Sequence, residues 1–74
     1  MSEILIFKTS VATVTHVQQV ASLFKSIESI KHWSFDLEDC DRILRVVASD
    51  LQPEIIVRSL IVAGISCEHL DYEL

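Results

Sequence analysis

Apolar residues in this chain switch between the spacing of a β-strand and that of an α-helix, and this switching constrains the fold more than any other feature. Residues 4–8 form a short run of strand-forming types. Over residues 17–27 apolar side chains instead recur at the spacing of one helix face. Thr15 and Gln18 have the spacing of a capping box, which predicts that this helix begins near Thr15.

The next segment returns to the strand period and then reverses direction. Over residues 33–38 apolar and polar side chains alternate, which predicts a half-buried strand. The sequence Glu-Asp-Cys-Asp at residues 38–41 is typical of a hairpin turn, and residues 42–48 predict the returning strand.

A second helix is predicted between the single proline and the single glycine. Pro53 suits the first turn of a helix, and Gly64 suits its left-handed end. The segment between them could form a strand by propensity alone, but its length and this punctuation favour a helix. Residues 66–72 predict a final strand.

This order, βαββαβ, predicts an α+β fold of the ferredoxin-like type. The four strands would form one antiparallel sheet with strands one and three in the centre, and both helices would cover one face. With 74 residues and neither repeats nor a linker, we expect one domain spanning residues 1–74. The inward positions of each period predict this core: Phe7, Val17, Val20, Phe24, Ile27, Trp33, Phe35, Leu37, Leu44, Val46, Ile56, Leu60 and Ala63.

Charge and hydropathy exclude several kinds of partner. The net charge of -5 argues against nucleic acid, which needs a basic surface. There is no basic amphipathic stretch for anionic lipid, and the longest apolar tract is interrupted by Arg58 and is too short to span a bilayer. The first residues have the wrong order for a signal peptide. Two cysteines are too few for a disulfide framework, so we expect a reduced, cytoplasmic protein.

Three stretches together resemble one family. They are FKTSVATVTHVQQVASLF, IESIKHWSFDLEDCDRILRVVA and QPEIIVRSLIVAGISCEHL, which cover nearly the whole chain. They look like a heavy-metal-associated domain, the small fold of copper chaperones and of the cytosolic domains of metal-pumping ATPases. The resemblance rests on pattern and spacing rather than on a functional motif.

The resemblance implies a metal site in the turn after the first strand. Domains of this family carry Cys-x-x-Cys there, because two thiolates can hold a soft ion such as Cu(I). In the preferred register these cysteines correspond to Thr13 and His16, and in a slipped register to Ser10 and Thr13. Neither register supplies a thiolate, so we expect weak soft-metal binding or none, and no other cofactor.

Three residues are candidate metal ligands near that turn: His16, Thr13 and Cys67. His16 keeps a ligand type, although a solvated histidine in a first helical turn is the simpler interpretation. Cys67 lies near the start of the strand expected beside strand one and could approach Thr13 and His16, although a small core residue is the simpler interpretation for it. We expect Cys40 at the far end of the domain, out of reach of Cys67.

The remaining histidines and carboxylates suggest no site. His32 and His69 flank strands and share no ligand spacing. The acidic hairpin lacks the glycine and the carboxylate spacing of a calcium loop, so we interpret it as a solvated turn.

Two functions follow, and neither is enzymatic. The first is a heavy-metal-associated-like protein with a degenerate metal site. The second is a dimeric interaction or regulatory module with an unknown protein partner. An acylphosphatase-like enzyme needs an arginine in the turn and an asparagine elsewhere, and the chain has no asparagine. No Ser/His/Asp or Cys/His set emerges for nucleophilic catalysis.

The open face of the sheet is the candidate dimer interface. A period of two sends Ile4, Ile6, Ile43 and Val47 away from the helices, and strands one and three are expected to be adjacent. These four residues would form an apolar cluster for a two-fold homodimer, unless they are scattered exposed aliphatics.

Overall fold

The structure is a computed structural model that describes residues 2–38 and 40–70. Its elements follow the predicted order: β1 (Ser2–Thr9), α1 (Val14–Phe24), β2 (Ile30–Asp36), β3 (Ile43–Ser49), α2 (Pro53–Val62) and β4 (Cys67–Leu70). The predicted end of the last strand, residues 71–72, lies outside the described residues. No helix in the described part of the chain is long and apolar enough to cross a membrane.

The four strands form one antiparallel sheet in the order β2-β3-β1-β4. This confirms the predicted central position of β1 and β3. Lys8 lies opposite Ile43 of β3, and Thr9 lies opposite Cys67 of β4. The end of β1 therefore lies between the start of β3 and the start of β4.

The core lies between the sheet and the two helices. Alternate β1 and β3 side chains face it, with Phe7, Leu44 and Val46 fully buried. All thirteen predicted core residues are either buried in this cluster or packed against it. Four further buried residues belong to this cluster. Leu5 and Ala48 lie on β1 and β3, whereas Val11 and Ile65 come from the loops that flank the sheet end, where no periodicity predicts burial.

The second helix begins and ends as predicted. Pro53 is its first residue, where the missing N–H costs nothing, and Gly64 follows it at φ +83°. The amide of Ile65 donates to the carbonyl of Leu60 at 2.9 Å, and that of Gly64 donates to Ile61 at 2.9 Å. These two bonds form a Schellman motif, which turns the chain so that the buried Ile65 joins the core.

The first helix begins earlier than predicted. Thr13, rather than Thr15, is its N-cap, because its hydroxyl accepts from the His16 amide. Thr15 lies in the first turn and is exposed, so the capping box at Thr15 and Gln18 is wrong. Thr13 lacks the Glu or Gln of a capping box, since His16 stands three residues later, but its extended backbone, at φ -133° and ψ 161°, is that of an N-cap.

The hairpin that contains Cys40 lies at the same end of the sheet as the turn after β1, not at the far end. The Thr9 amide donates to the Asp41 carbonyl at 3.2 Å, and the Thr9 hydroxyl donates to the Arg42 carbonyl at 2.7 Å. The reason is topological. β1 and β2 both run antiparallel to β3 and therefore end at the same end of the sheet, so the turn after β1 and the β2–β3 hairpin meet there. The expected placement of Cys40 at the far end of the domain is therefore wrong, although Cys40 and Cys67 are both free thiols.

Candidate functional site

Hydroxyl groups tie the end of β1 to both of its neighbours. The Thr9 side chain is buried, and besides donating to Arg42 it accepts from the Val11 amide at 3.2 Å. Ser10 exchanges two bonds with Ser66, because its amide donates to the Ser66 carbonyl at 3.1 Å and its hydroxyl accepts from the Ser66 amide at 2.9 Å. These hydrogen bonds fix the first residues of the turn relative to the starts of β3 and β4.

The two residues at the preferred metal-ligand positions bind the backbone of their own turn. The Thr13 hydroxyl accepts from the His16 amide at 3.2 Å, which satisfies one of the free amides at the helix start. Nδ1 of His16 accepts from the Ala12 amide at 3.3 Å. An accepting Nδ1 places the proton of a neutral imidazole on Nε2. The hydroxyl and one imidazole nitrogen are thus both used to hold the turn.

Cys67 lies next to this turn as a half-buried residue packed against the core. Burial raises the pKa of its thiol to about 11. A thiolate is the form that binds soft metals, and it is scarce here at neutral pH. Cys67 also lines a shallow cleft of about 310 Å³ together with residues 8–10, 66 and 68, and neither Thr13 nor His16 contributes to that lining. The structure thus favours the interpretation of Cys67 as a core residue.

No group of three or more His, Cys, Asp or Glu side chains within residues 2–38 and 40–70 is arranged to hold a metal ion. The donors that the turn offers are a hydroxyl and an imidazole, whereas soft ions such as Cu(I) prefer thiolates and thioethers. The described donor set therefore does not fit a Cu(I) ion.

No family model matches this sequence, and no curated protein matches it. Solved structures do match in fold. The yeast copper transporter domain CCC2A, solved in its apo and Cu(I)-loaded states, superimposes with a TM-score of 0.79 at 11% identity, over 92% of this chain and 94% of that domain. A copper-binding domain of HMA7, a P-type ATPase, gives a TM-score of 0.78 at 18% identity, and the alignment covers both chains completely.

A third similar structure is the apo HMA domain of the copper chaperone for superoxide dismutase. It gives a TM-score of 0.78 at 16% identity, over 100% of this chain and 76% of that one. The chain has the fold of a heavy-metal-associated domain. The resemblance in the sequence is confirmed at the level of the fold. Sequence identities of 11–18% support a shared fold but not a shared function.

In this heavy-metal-associated fold the other two histidines lie away from the turn's ligand positions. The ring of His69 on β4 contacts that of Phe7, with centroids 5.4 Å apart. His32 is exposed on β2, at the opposite edge of the sheet from β4. Neither lies in a group of metal-ligating side chains among the described residues.

The open face of the sheet presents a smaller apolar area than the sequence suggested. Ile4 is 68% exposed and lies opposite the half-buried Val47. Ile6, also half-buried, lies opposite the exposed Arg45. Ile43 is buried, with 7% exposure, so it is not available as a contact residue. Ile43 is therefore not an exposed member of the expected cluster, and Arg45 lies between the others, while the use of this face as a dimer interface stays a prediction.

The sequence reasoning missed Thr9 and Ser10 as residues that shape the site. Ser10 enters the sequence-based expectations only as a ligand position in the slipped register, and Thr9 does not enter them. The available signal was the density of hydroxyl side chains in TSVATVTH, since short hydroxyl side chains bind nearby backbone groups in turns.

Proposed function

We propose that this chain is a heavy-metal-associated-like protein, derived from a metal-binding or metal-transport domain, whose metal site is degenerate. It binds soft metals weakly or not at all, acts without catalysing a reaction, and works in the cytoplasm. The fold it shares with copper-binding domains supports the derivation.

The observation that carries the proposal is the internal use of the turn's polar groups. Thr13 caps the helix through its bond to the His16 amide, and His16 accepts from Ala12. A metal at these positions would have to displace bonds that hold the turn. A threonine hydroxyl would be a poor replacement for the thiolate that Cu(I) prefers.

The half-buried thiol next to the turn does not replace the missing pair. With a pKa of about 11, Cys67 keeps its proton in the cytoplasmic pH range. Binding of a soft ion would first have to remove that proton from a site where burial disfavours the charge. Among residues 10–16 of the turn, a single imidazole nitrogen of His16 then remains as a ready donor.

A competition titration with Cu(I) tests the proposal. The reduced protein is mixed with Cu(I) and millimolar glutathione, and bound copper is measured after rapid gel filtration. We expect no retained copper in the wild type. The variant T13C/H16C restores two thiols at the preferred positions and is expected to retain about one Cu(I) per chain.

A matched control uses the slipped register. The variant S10C/T13C adds the same number of thiols, but position 10 faces the Ser66 backbone, so we expect weaker retention than for T13C/H16C. Wild-type protein that retains Cu(I) against glutathione would contradict the proposal, and His16 with Cys67 would then be the first pair to mutate.

The second candidate is a dimeric interaction or regulatory module that uses the open face of the sheet. The observation that favours it is Ile4, 68% exposed beside Val47 on a face that the helices do not cover. Sedimentation equilibrium of the wild type and of Ile6→Glu at tens of micromolar tests it. A wild type of monomer mass, or an Ile6→Glu variant that dimerises equally well, would exclude this module.

A further inference from the structure

A cleft with an aromatic wall lies between α1 and β2, away from the turn. Its volume is about 300 Å³. Phe24 and Trp33 stand edge to face with ring centroids 5.4 Å apart, and both line it. The other lining residues are Ala21, Lys25, Ile30, Lys31 and His32. The cleft therefore combines apolar surface with a cationic rim.

The rim charges stand out in an acidic chain. The sequence has six Lys and Arg against eleven Asp and Glu, and two of the six, Lys25 and Lys31, line this one cleft. Both are exposed, and neither forms an ion pair with a residue that the structure describes. Two exposed cations without an ion-pair partner among the described residues lie beside an apolar wall, which favours an anionic partner over a neutral one.

The cleft also adjoins an open strand edge. β2 is the outer strand of the sheet, so one row of its backbone amides and carbonyls faces away from β3. Trp33 to Asp36 pair with β3 in regular register, whereas a bulge between Ile30 and His32 leaves Lys31 without an opposite residue. A bulge redirects a side chain, and Lys31 lines the cleft from this position.

From these features we infer that β2 and the adjoining cleft bind an acidic, extended peptide segment of another protein by strand addition. Backbone groups of the peptide pair with the outer edge of residues 33–36. An apolar side chain of the peptide packs against Trp33, and its carboxylates lie near Lys25 and Lys31. Main-chain bonds would supply affinity, and the cleft would supply the preference for acidic sequences.

A shallow, open cleft suits a peptide better than a buried small molecule, since small ligands are usually enclosed on most sides. The alternative occupant, a small organic anion, becomes an outcome of the test. Strand addition requires peptide amides, which a small anion does not have.

Fluorescence of Trp33 gives a direct readout, because it is the only tryptophan in the chain. The probe is a synthetic nonapeptide in which Glu alternates with Val and with one central Phe. Its twin has Lys in place of every Glu. We expect the acidic peptide to change Trp33 emission saturably and to shift backbone amide resonances of residues 30–36 in NMR spectra, while the lysine twin does neither.

Charge-reversal variants locate the binding site. K25E and K31E each replace one exposed rim charge, and we expect each to weaken binding by about fivefold, as for loss of an attraction and gain of a repulsion near the surface. R58E changes the net charge equally at an exposed position of α2 that does not line the cleft. We expect R58E to weaken binding by less than about twofold.

A third peptide tests strand addition itself. It is made in two versions of the acidic sequence. The first is N-methylated at every second amide, and the second is N-methylated at the remaining amides, so one of the two must lose the amides that pair with β2. We expect one version to lose binding. No binding of the acidic peptide, equal binding of the lysine twin, equal weakening by R58E, or full binding by both methylated versions would each overturn the inference. Binding of acetate or benzoate at this cleft with the same affinity as the peptide would also overturn it.

Discussion

In the turn before α1 the polar side chains face backbone groups of the same turn, whereas beside β2 they face solvent next to an aromatic wall. Thr13 and His16 each accept a bond from an amide within four residues. Lys25 and Lys31 have no ion-pair partner among the described residues. The first arrangement stabilises the chain itself, and the second leaves charge available to a partner.

This difference shows that ligand-type residues and available donors are separate properties. Releasing a hydroxyl or imidazole that already accepts from a backbone amide costs free energy, which is about 1 kcal/mol for an N-cap. Surface lysines in water have no such cost. A ligand at the turn would therefore have to break existing hydrogen bonds, whereas an anion at the lysines beside β2 would break no ion pair of the described residues.

The largest expected effect is at Phe24, which joins the cleft wall to the core. It is 4% exposed and contacts Trp33. Phe24→Ala should lower the free energy of unfolding by about 3–5 kcal/mol, as for other buried aromatic truncations. A small domain has about 5 kcal/mol in total at the low end of the usual range, so the variant should be close to unfolded. Urea denaturation followed by circular dichroism measures this.

The matched control for Phe24 is Val62→Ala, since Val62 is 87% exposed on α2. It should change the free energy of unfolding by less than about 0.5 kcal/mol. An unchanged midpoint for Phe24→Ala would show that the cleft wall is not part of the core, and the two regions would then differ less than described.

The next effect concerns the two thiols near the turn. Burial raises the pKa of Cys67 from 9.0 to about 11, which lowers its thiolate fraction at neutral pH by about a hundredfold. Cys40 is exposed. Iodoacetamide should therefore modify Cys40 well before Cys67, as followed by peptide mass spectrometry. Raising the pH toward 11 should increase the rate at which iodoacetamide modifies Cys67.

Equal rates at neutral pH would mean that Cys67 provides a reactive thiolate beside the turn. The C40S variant serves as control, because it removes the competing thiol and should leave the slow rate of Cys67 unchanged. Fast modification of Cys67 in C40S would show a reactive thiolate beside the turn. The turn would then offer a metal donor, as the cleft beside β2 offers its lysines.

The smallest effect is at the helix cap. Thr13→Ala should destabilise the protein by about 1 kcal/mol, because the His16 amide loses its acceptor. Thr15→Ala removes the same hydroxyl from an exposed position that is not the cap and should change stability by less than about 0.5 kcal/mol. Thermal denaturation of both variants compares them. A larger loss for Thr15→Ala would place the cap where the sequence pattern put it.

The sequence predicted the fold because its periods and its proline and glycine are local signals. Pro53 and Gly64 mark the ends of α2 in both the pattern and the structure. Phe24 and Leu44 are buried as their periods indicate. Each of these features depends on a few neighbouring residues, which a sequence displays directly.

The sequence did not predict features that depend on distant partners. Thr13 and Thr15 both lie near the start of α1, and which of them caps the helix depends on backbone angles that the sequence does not show. Val11 and Ile65 are buried because the turn and the α2–β4 loop both fold over the sheet end. The cleft exists only in the folded chain, where Lys25 at the C-cap of α1 and Lys31 on β2 line the same space. Such pairings are set by packing and carry no local signal.

The most direct test of the account is the state of the His16 imidazole. Long-range ¹H–¹⁵N spectra of the reduced protein, recorded under mildly alkaline conditions, distinguish a ring nitrogen that carries a proton from one that accepts a bond. We predict a proton on Nε2 and an accepting Nδ1, both unchanged when Cu(I) is added in the presence of glutathione. A shift of either nitrogen on addition of Cu(I) would show that His16 is a metal ligand and would contradict the central claim.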